Sequence, residues 1–189
     1  TGLTNGTAVT FTVTATIAAD TSSASSASDS ATPVNPPRGL RAGGGTTKYN
    51  NSQVNNIDYI TISSTGNATD FGDLSGSFNS TGSCSNSTRG IIAGGDKSGV
   101  SDQMNEIQYI TIASTGNTSD FGDLTHNVRR LGAGASATRA LFAGEYQSNA
   151  NGINYITIGS TGNAQDFGDL TNNETDGPAC ASTAHGGIS

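Results

Sequence analysis

Few side chains in this chain are of a type that does chemistry, and most of those recur in copies. Asp70-Phe71-Gly72-Asp73 returns as Asp120-Phe121-Gly122-Asp123 and as Asp166-Phe167-Gly168-Asp169. Asp-Phe-Gly also occurs as a magnesium-binding motif of phosphoryl transfer, but its companion motifs are absent and triplication points to packing. Asp73, Asp123 and Asp169 therefore read as groups of a turn or an inter-unit hydrogen bond rather than as general acids or bases. Asp96 and Asp102 carry oxygens suited to Ca²⁺, yet their spacing matches no calcium loop. His126 and His185 stand in different repeat contexts, without a triad partner, a metal partner or a nucleophile elbow. No catalytic residue, cofactor site or metal site is expected, and the chain is not expected to be an enzyme. What remains is binding. Tyr49, Arg129, Arg130 and Tyr146 fall where the copies differ, and Tyr and Arg in variable loops are side chains suited to meeting a partner. Asn67, Asn86 and Asn117 open Asn-x-Ser/Thr triplets, which arise easily in so Asn-, Ser- and Thr-rich a chain and say little about glycosylation.

The elements that hold these residues are repeated. Residues 55–74, 105–124 and 151–170 share the wording Tyr-Ile-Thr-Ile, then Ser-Thr-Gly-Asn, then Asp-Phe-Gly-Asp-Leu, and Tyr59, Tyr109 and Tyr155 recur at intervals of 50 and 46 residues. A second block runs in step with the first: Arg38-Gly-Leu-Arg-Ala-Gly-Gly, Arg89-Gly-Ile-Ile-Ala-Gly-Gly and Arg139-Ala-Leu-Phe-Ala-Gly-Glu. In Ile107–Ile112 the alternation puts Ile107 and Tyr109 on one face and Ile110 and Ile112 on the other, a strand buried on both sides. Ser114-Thr-Gly-Asn117 has turn chemistry. Phe121 and Leu124 are apolar anchors about a Gly that can bend the strand. Short strands at short intervals, with no amphipathic helical period, predict an all-β fold of about three four-stranded antiparallel units. The units run 38–88, 89–138 and 139–189. A further copy begins near Cys180 and His185.

Composition removes whole classes of function. Charged residues make up 12% of the 189, about half the ~25% usual in globular proteins. With 8 basic against 15 acidic side chains the net charge is −7, which excludes a nucleic-acid binder that tracks phosphates. No run approaches ~18 apolar residues, so no membrane insertion by a helix is expected. The chain opens at Thr1 without Met or a signal pattern, which predicts a piece of a longer product or a processed one.

Gly94-Gly95, then Tyr109, then Phe121, at a period near 50, resembles the kelch repeat of β-propellers. The resemblance covers residues 38–189 and implies kelch-like propeller blades. On that register Cys84 and Cys180 each lie 13 residues after a repeat Phe, with Gly134 at the intervening position. Sheets pack ~10 Å apart and a disulfide needs Cα atoms within ~7 Å, so two free thiols filling small buried spaces are expected. Residues 1–34 differ in texture. Thr7–Ile17 alternates, with Val9, Phe11, Val13, Ala15 and Ile17 on one face, and predicts a half-buried strand. With Gly2-Leu-Thr-Asn-Gly it resembles the C-terminal strands of a fibronectin type III module, a β-sandwich-type hairpin. Residues 35–37 form a Pro-rich linker.

The block Tyr-Ile-Thr-Ile-x-Ser-Thr-Gly-Asn-x-x-Asp-Phe-Gly-Asp-Leu also resembles repeats in structural proteins of marine bacteriophages, fibre-like and particle-decorating ones included. That resemblance implies a virion protein, hence an extracellular setting: a fibre, a tail appendage or a capsid decoration. It implies contact with other copies of the chain, other virion proteins or a host-surface glycan. The alternative is a secreted or surface carbohydrate-binding propeller, a lectin or adhesin. Propellers close with ~4–8 blades and unpaired edges invite partners, so three units and a lone hairpin predict completion by material outside this segment.

Overall fold

The repeated blocks fold into sheets because each supplies β-branched and aromatic residues in alternation, punctuated by Gly. The computed structural model describes residues 9–10, 12–14, 16–17, 20–21, 37–45, 52–100, 103–144, 151–173 and 178–182. The chain divides into Thr1–Pro37 and Arg38–Ser189. In the first part β1 (Thr16–Ile17) pairs antiparallel with β2 (Asp20–Thr21). Val13 lies outside any strand and is exposed, so the long alternating strand expected over 7–17 is seen as a strand only at its end.

Arg38–Ser189 contains three four-stranded antiparallel sheets and no helix among the described residues. Sheet one joins β3 (Arg38–Ala42), β4 (Val54–Thr61), β5 (Thr69–Asn79) and β8 (Asp96–Lys97). Sheet two joins β6 (Gly82–Ser85), β7 (Arg89–Ala93), β9 (Met104–Thr111) and β10 (Ser119–Val128). Sheet three joins β11 (Gly132–Ala135), β12 (Arg139–Ala143), β13 (Gly152–Thr157) and β14 (Gln165–Asp169). Sheets two and three are simple meanders in chain order.

The sheets are offset from the sequence repeats. Units cut at Arg89 and Arg139 sever β6 from β7 and β11 from β12, which are hydrogen-bonded pairs. The first strand of each meander is short and small, Gly-Ser-Cys-Ser or Gly-Ala-Gly-Ala, so it carries no periodic signal of its own. Sheet one has no such first strand among the described residues. Its fourth strand is β8, lent by the loop of the following repeat, which pairs Phe78 with Lys97 and Asn79 with Asp96.

Each sheet buries both faces where it has a neighbour on each side. Ile57, Phe71, Leu74 and Phe78 of sheet one form a core with Ile92 and Ile110 of sheet two. Ile91, Phe121, Leu124 and Val128 on the opposite face of sheet two form another with Phe142, Ile156 and Ile158 of sheet three. Full burial of each such side chain is worth roughly 1.5–3 kcal/mol, which makes these contacts the main stabilising term. The glycine pairs Gly43-Gly44 and Gly94-Gly95, after β3 and β7, brace sheets one and two. Gly44 and Gly95, both at positive φ, donate their N–H groups to Phe78 O at 2.7 Å and Val128 O at 2.8 Å, across the intervening strand.

Candidate functional site

The shared wording of the repeats builds a seam between sheets. Opposite Ile57 and Asp58, the ladder passes from Gly72 to Asp70 and skips Phe71, a β-bulge; the same shift leaves out Phe121 in sheet two. A bulged residue loses its ladder partner. The Phe71 carbonyl accepts instead from Gly116 N at 2.7 Å, in the Ser-Thr-Gly-Asn turn of the next repeat. Asp73 O accepts from Thr118 N at 2.9 Å, and Asp73 N donates to Asn117 Oδ1 at 3.0 Å. The second seam repeats all three bonds. Gly162 N reaches Phe121 O at 2.7 Å, Ala164 N reaches Asp123 O at 2.7 Å, and Asp123 N reaches Asn163 Oδ1 at 3.1 Å. Each turn thus covers an edge strand that would otherwise present unpaired backbone groups.

Only glycine permits this approach. Gly72 and Gly122 hold φ of 148° and 141°, and a Cβ on Gly122 would lie 2.6 Å from the backbone of Gly162. Buried amides complete the seam. Gln108 Oε1 accepts from Ser75 N at 2.8 Å, and Asn154 Oδ1 accepts from Thr125 N at 3.2 Å. The inter-unit role read for Asp73 and Asp123 is therefore present, but carried by backbone atoms rather than by the carboxylates.

Beside each seam an arginine lies over a tyrosine. The guanidinium carbons of Arg38, Arg89 and Arg139 stand 4.6, 4.7 and 5.0 Å from the ring centres of Tyr59, Tyr109 and Tyr155. Each Tyr meets its repeat Phe edge-on at about 6 Å. Arg38 Nη1 donates to Ile112 O at 2.7 Å, and Arg89 Nη1 to Ile158 O at 2.6 Å, so both tie their sheet to the next. Three clefts of about 130, 150 and 230 Å³ open at Tyr59, Tyr109 and Tyr155, walled by Ser, Thr, Gly and Asn of the turns. Aromatic edges beside hydroxyl and amide groups suit hydrogen bonding to a polyhydroxylated ligand. In the sequence these arginines stand only as the heads of a repeated block; in the structure each opens the strand paired with its Tyr strand.

Of the loop residues singled out by sequence, Arg129 is half-buried, with Nη1 at 3.2 Å from both carboxylate oxygens of Asp96. Arg130 is exposed, at φ 59°, and its N–H donates to Ser80 O at 2.7 Å. Tyr49, Tyr146, Asp102 and His185 lie outside the described residues. His126 Nδ1 is 2.8 Å from Thr125 Oγ1. Asn86 closes its own turn, its Oδ1 accepting from Thr88 N and Arg89 N while Nδ2 donates to Ala137 O. Among the described residues no three His, Cys, Asp or Glu gather as a metal site would require.

Both cysteines are free thiols. Cys84 packs on the core of sheet two and its pKa is pushed up to about 12, first by burial and then by the Cys180 thiol. Cys180 is exposed rather than buried as expected, and burial of part of its surface raises its pKa. A Cβ on Gly134, the equivalent position of the intervening repeat, would lie 3.5 Å from Cys180 Cβ. No protein-family model matches the chain, and no curated protein matches it.

Proposed function

We propose that the protein is a virion structural protein of bacteriophage type, part of a fibre, tail appendage or capsid decoration, touching a host surface or glycan. One observation carries this reading. The residues that the repeats share are taken up in joining sheet to sheet, as a scaffold requires, while the copies differ in the stretches between the shared blocks. The uncharged polar surface and the wording of the repeat agree with it. The three sheets are read as kelch-like propeller blades, a reading supported by their face-to-face packing and meander order. The β1–β2 pair is read as the remnant of a fibronectin-type sandwich. Partners are other virion proteins, copies of the chain, or a glycan. Mass spectrometry of purified particles tests the proposal: peptides of this chain should co-purify with infectious virions, and their absence would end the virion reading.

The three equivalent tyrosine clefts favour a second reading, a carbohydrate-binding propeller. A glycan array would support it through binding that falls when Tyr155 and Asn163 are replaced. Particles that carry the chain but bind no glycan would restrict it to a scaffold.

A further inference from the structure

The two internal seams are a template, and the ends of the three-sheet array carry its unmatched halves. Ile110 and Ile156, on the leading faces of sheets two and three, are 4% and 3% exposed, whereas the equivalent Ile60 of sheet one is 45% exposed. Ile158 is fully buried, and its equivalent Ile62 is 62% exposed. At the other end, Phe71 and Phe121 are each 2% exposed but Phe167 is 51% exposed. A hollow of about 530 Å³ lies beside Phe167, Leu141 and Cys180. It occupies the face that sheets one and two fill with isoleucines of the sheet that follows.

We infer that a second copy of this chain docks its first sheet on the open face of sheet three, so that copies add head to tail. Every group of the template is present. Phe167 O, Asp169 O and Asp169 N lie on β14 as their counterparts lie on β5 and β10. The turn of the incoming copy offers Gly66 N, Ala68 N and Asn67 Oδ1, in the same Ser-Thr-Gly-Asn wording. Arg139 is placed on Tyr155 as Arg38 and Arg89 are on theirs, and its target is Ile62 O of the second copy. Asp58 stands where Gln108 and Asn154 stand, and its carboxylate accepts from Thr171 as Asn154 accepts from Thr125. Arg41 pairs with Asp58 at 3.4 Å, so the carboxylate enters the contact with a partner for its charge.

A second feature leads to the same occupant. Residues 178–182 run against β11, where a Cβ on Gly132 would lie 2.6 Å from Pro178 O and 2.9 Å from Cys180 Sγ. This is the place of a first strand for a further sheet, and among the described residues sheet one is the sheet without one. Cys84 pairs with Ile91 and Gly134 with Leu141, so the register sets Cys180 opposite Leu40 of the second copy. Such a contact is heterologous: it ends in a ring if the rotation closes and a filament if it does not. The inference stands on the sheet faces alone, independent of any virion or glycan role.

Sedimentation of the full chain tests it with Ile62→Lys and Phe167→Lys, both at exposed side chains, with the β-sheet circular dichroism of each variant as the check that it is folded. Wild type should form larger species as concentration rises. Each variant alone should remain monomeric, its association weakened more than ~tenfold. An equimolar mixture should give a dimer and nothing larger, because each variant keeps one intact end. A wild-type chain that stays monomeric up to its solubility limit would overturn the inference. So would a mixture that stays monomeric, or variants that associate as wild type does.

Discussion

Gly116 N donates to Phe71 O across 2.7 Å, joining a turn of one repeat to the bulged strand of the repeat before it. The bond exists because Phe71 is skipped by its own ladder, and because Gly72 lets the next backbone come close. Stability should therefore be sensitive to the glycines of the bulge in proportion to what lies against them. Gly122→Val adds a side chain to a residue at φ 141° whose Cβ position is already occupied by Gly162. It should cost ~3 kcal/mol or more. Gly168→Val faces the same backbone strain at φ 137° with nothing within 4 Å, and should cost ~1–2 kcal/mol. Urea melts of dilute protein read the difference.

The buried amides give a second test. Gln108→Leu leaves the Ser75 N–H and the Thr118 hydroxyl without their shared acceptor. Removal of one partner of a buried hydrogen bond costs about 1–3 kcal/mol, and Asn154→Leu should behave alike through Thr125. A neutral result at both positions would show that packing alone holds the seam.

Thiol chemistry should separate the two cysteines. With its pKa pushed up to about 12, Cys84 should not react with a disulfide reagent at pH 8 in the native protein, while exposed Cys180 reacts. Unfolding should release the second thiol. The raised pKa also sets a pH dependence. The folded state keeps a proton that the unfolded thiol gives up above its ordinary value of 9.0, so stability present below pH 9 is lost as pH climbs toward about 12. The slope approaches about 1.4 kcal/mol per pH unit in that window, and Cys84→Ala should remove this component.

Arg129 and Arg130 are adjacent yet should act differently. Arg129→Ala breaks the half-buried pair with Asp96 and should lower stability by about 1 kcal/mol. Arg130→Ala leaves the backbone bond to Ser80 in place and should be nearly neutral in a thermal melt. Loss of glycan or host-cell binding in Arg130→Ala, with the melt unchanged, would mark it as a partner contact.

The all-β class and the three four-stranded antiparallel sheets were legible in the sequence because the Tyr-Ile-Thr-Ile segments alternate strictly and recur. Burial of Ile107 and Ile110 on opposite faces follows from that alternation. The strand Gly132–Ala135 was not legible, since Gly-Ala-Gly-Ala has no apolar period and takes its place only by pairing with Arg139–Ala143. Nor was β8, a two-residue strand that exists only against Phe78 and Asn79 of another sheet. The arginine–tyrosine stacks join residues 21, 20 and 16 positions apart in the chain, a relation that strand pairing creates and local pattern does not show. Phe167 shares its wording with Phe71 and Phe121 but not their burial, because burial depends on what stands opposite.

Amide hydrogen exchange of the protein at a concentration where it is monomeric tests the seam most directly. The N–H groups of Gly116, Thr118, Gly162 and Ala164 bond across sheets, whereas Gly66 and Ala68, at the same positions of their turn, make no cross-sheet bond among the described residues. The first four should be strongly protected and the last two should exchange as exposed turns do. Fast exchange at Gly116 and Gly162, equal to that at Gly66, would contradict the account.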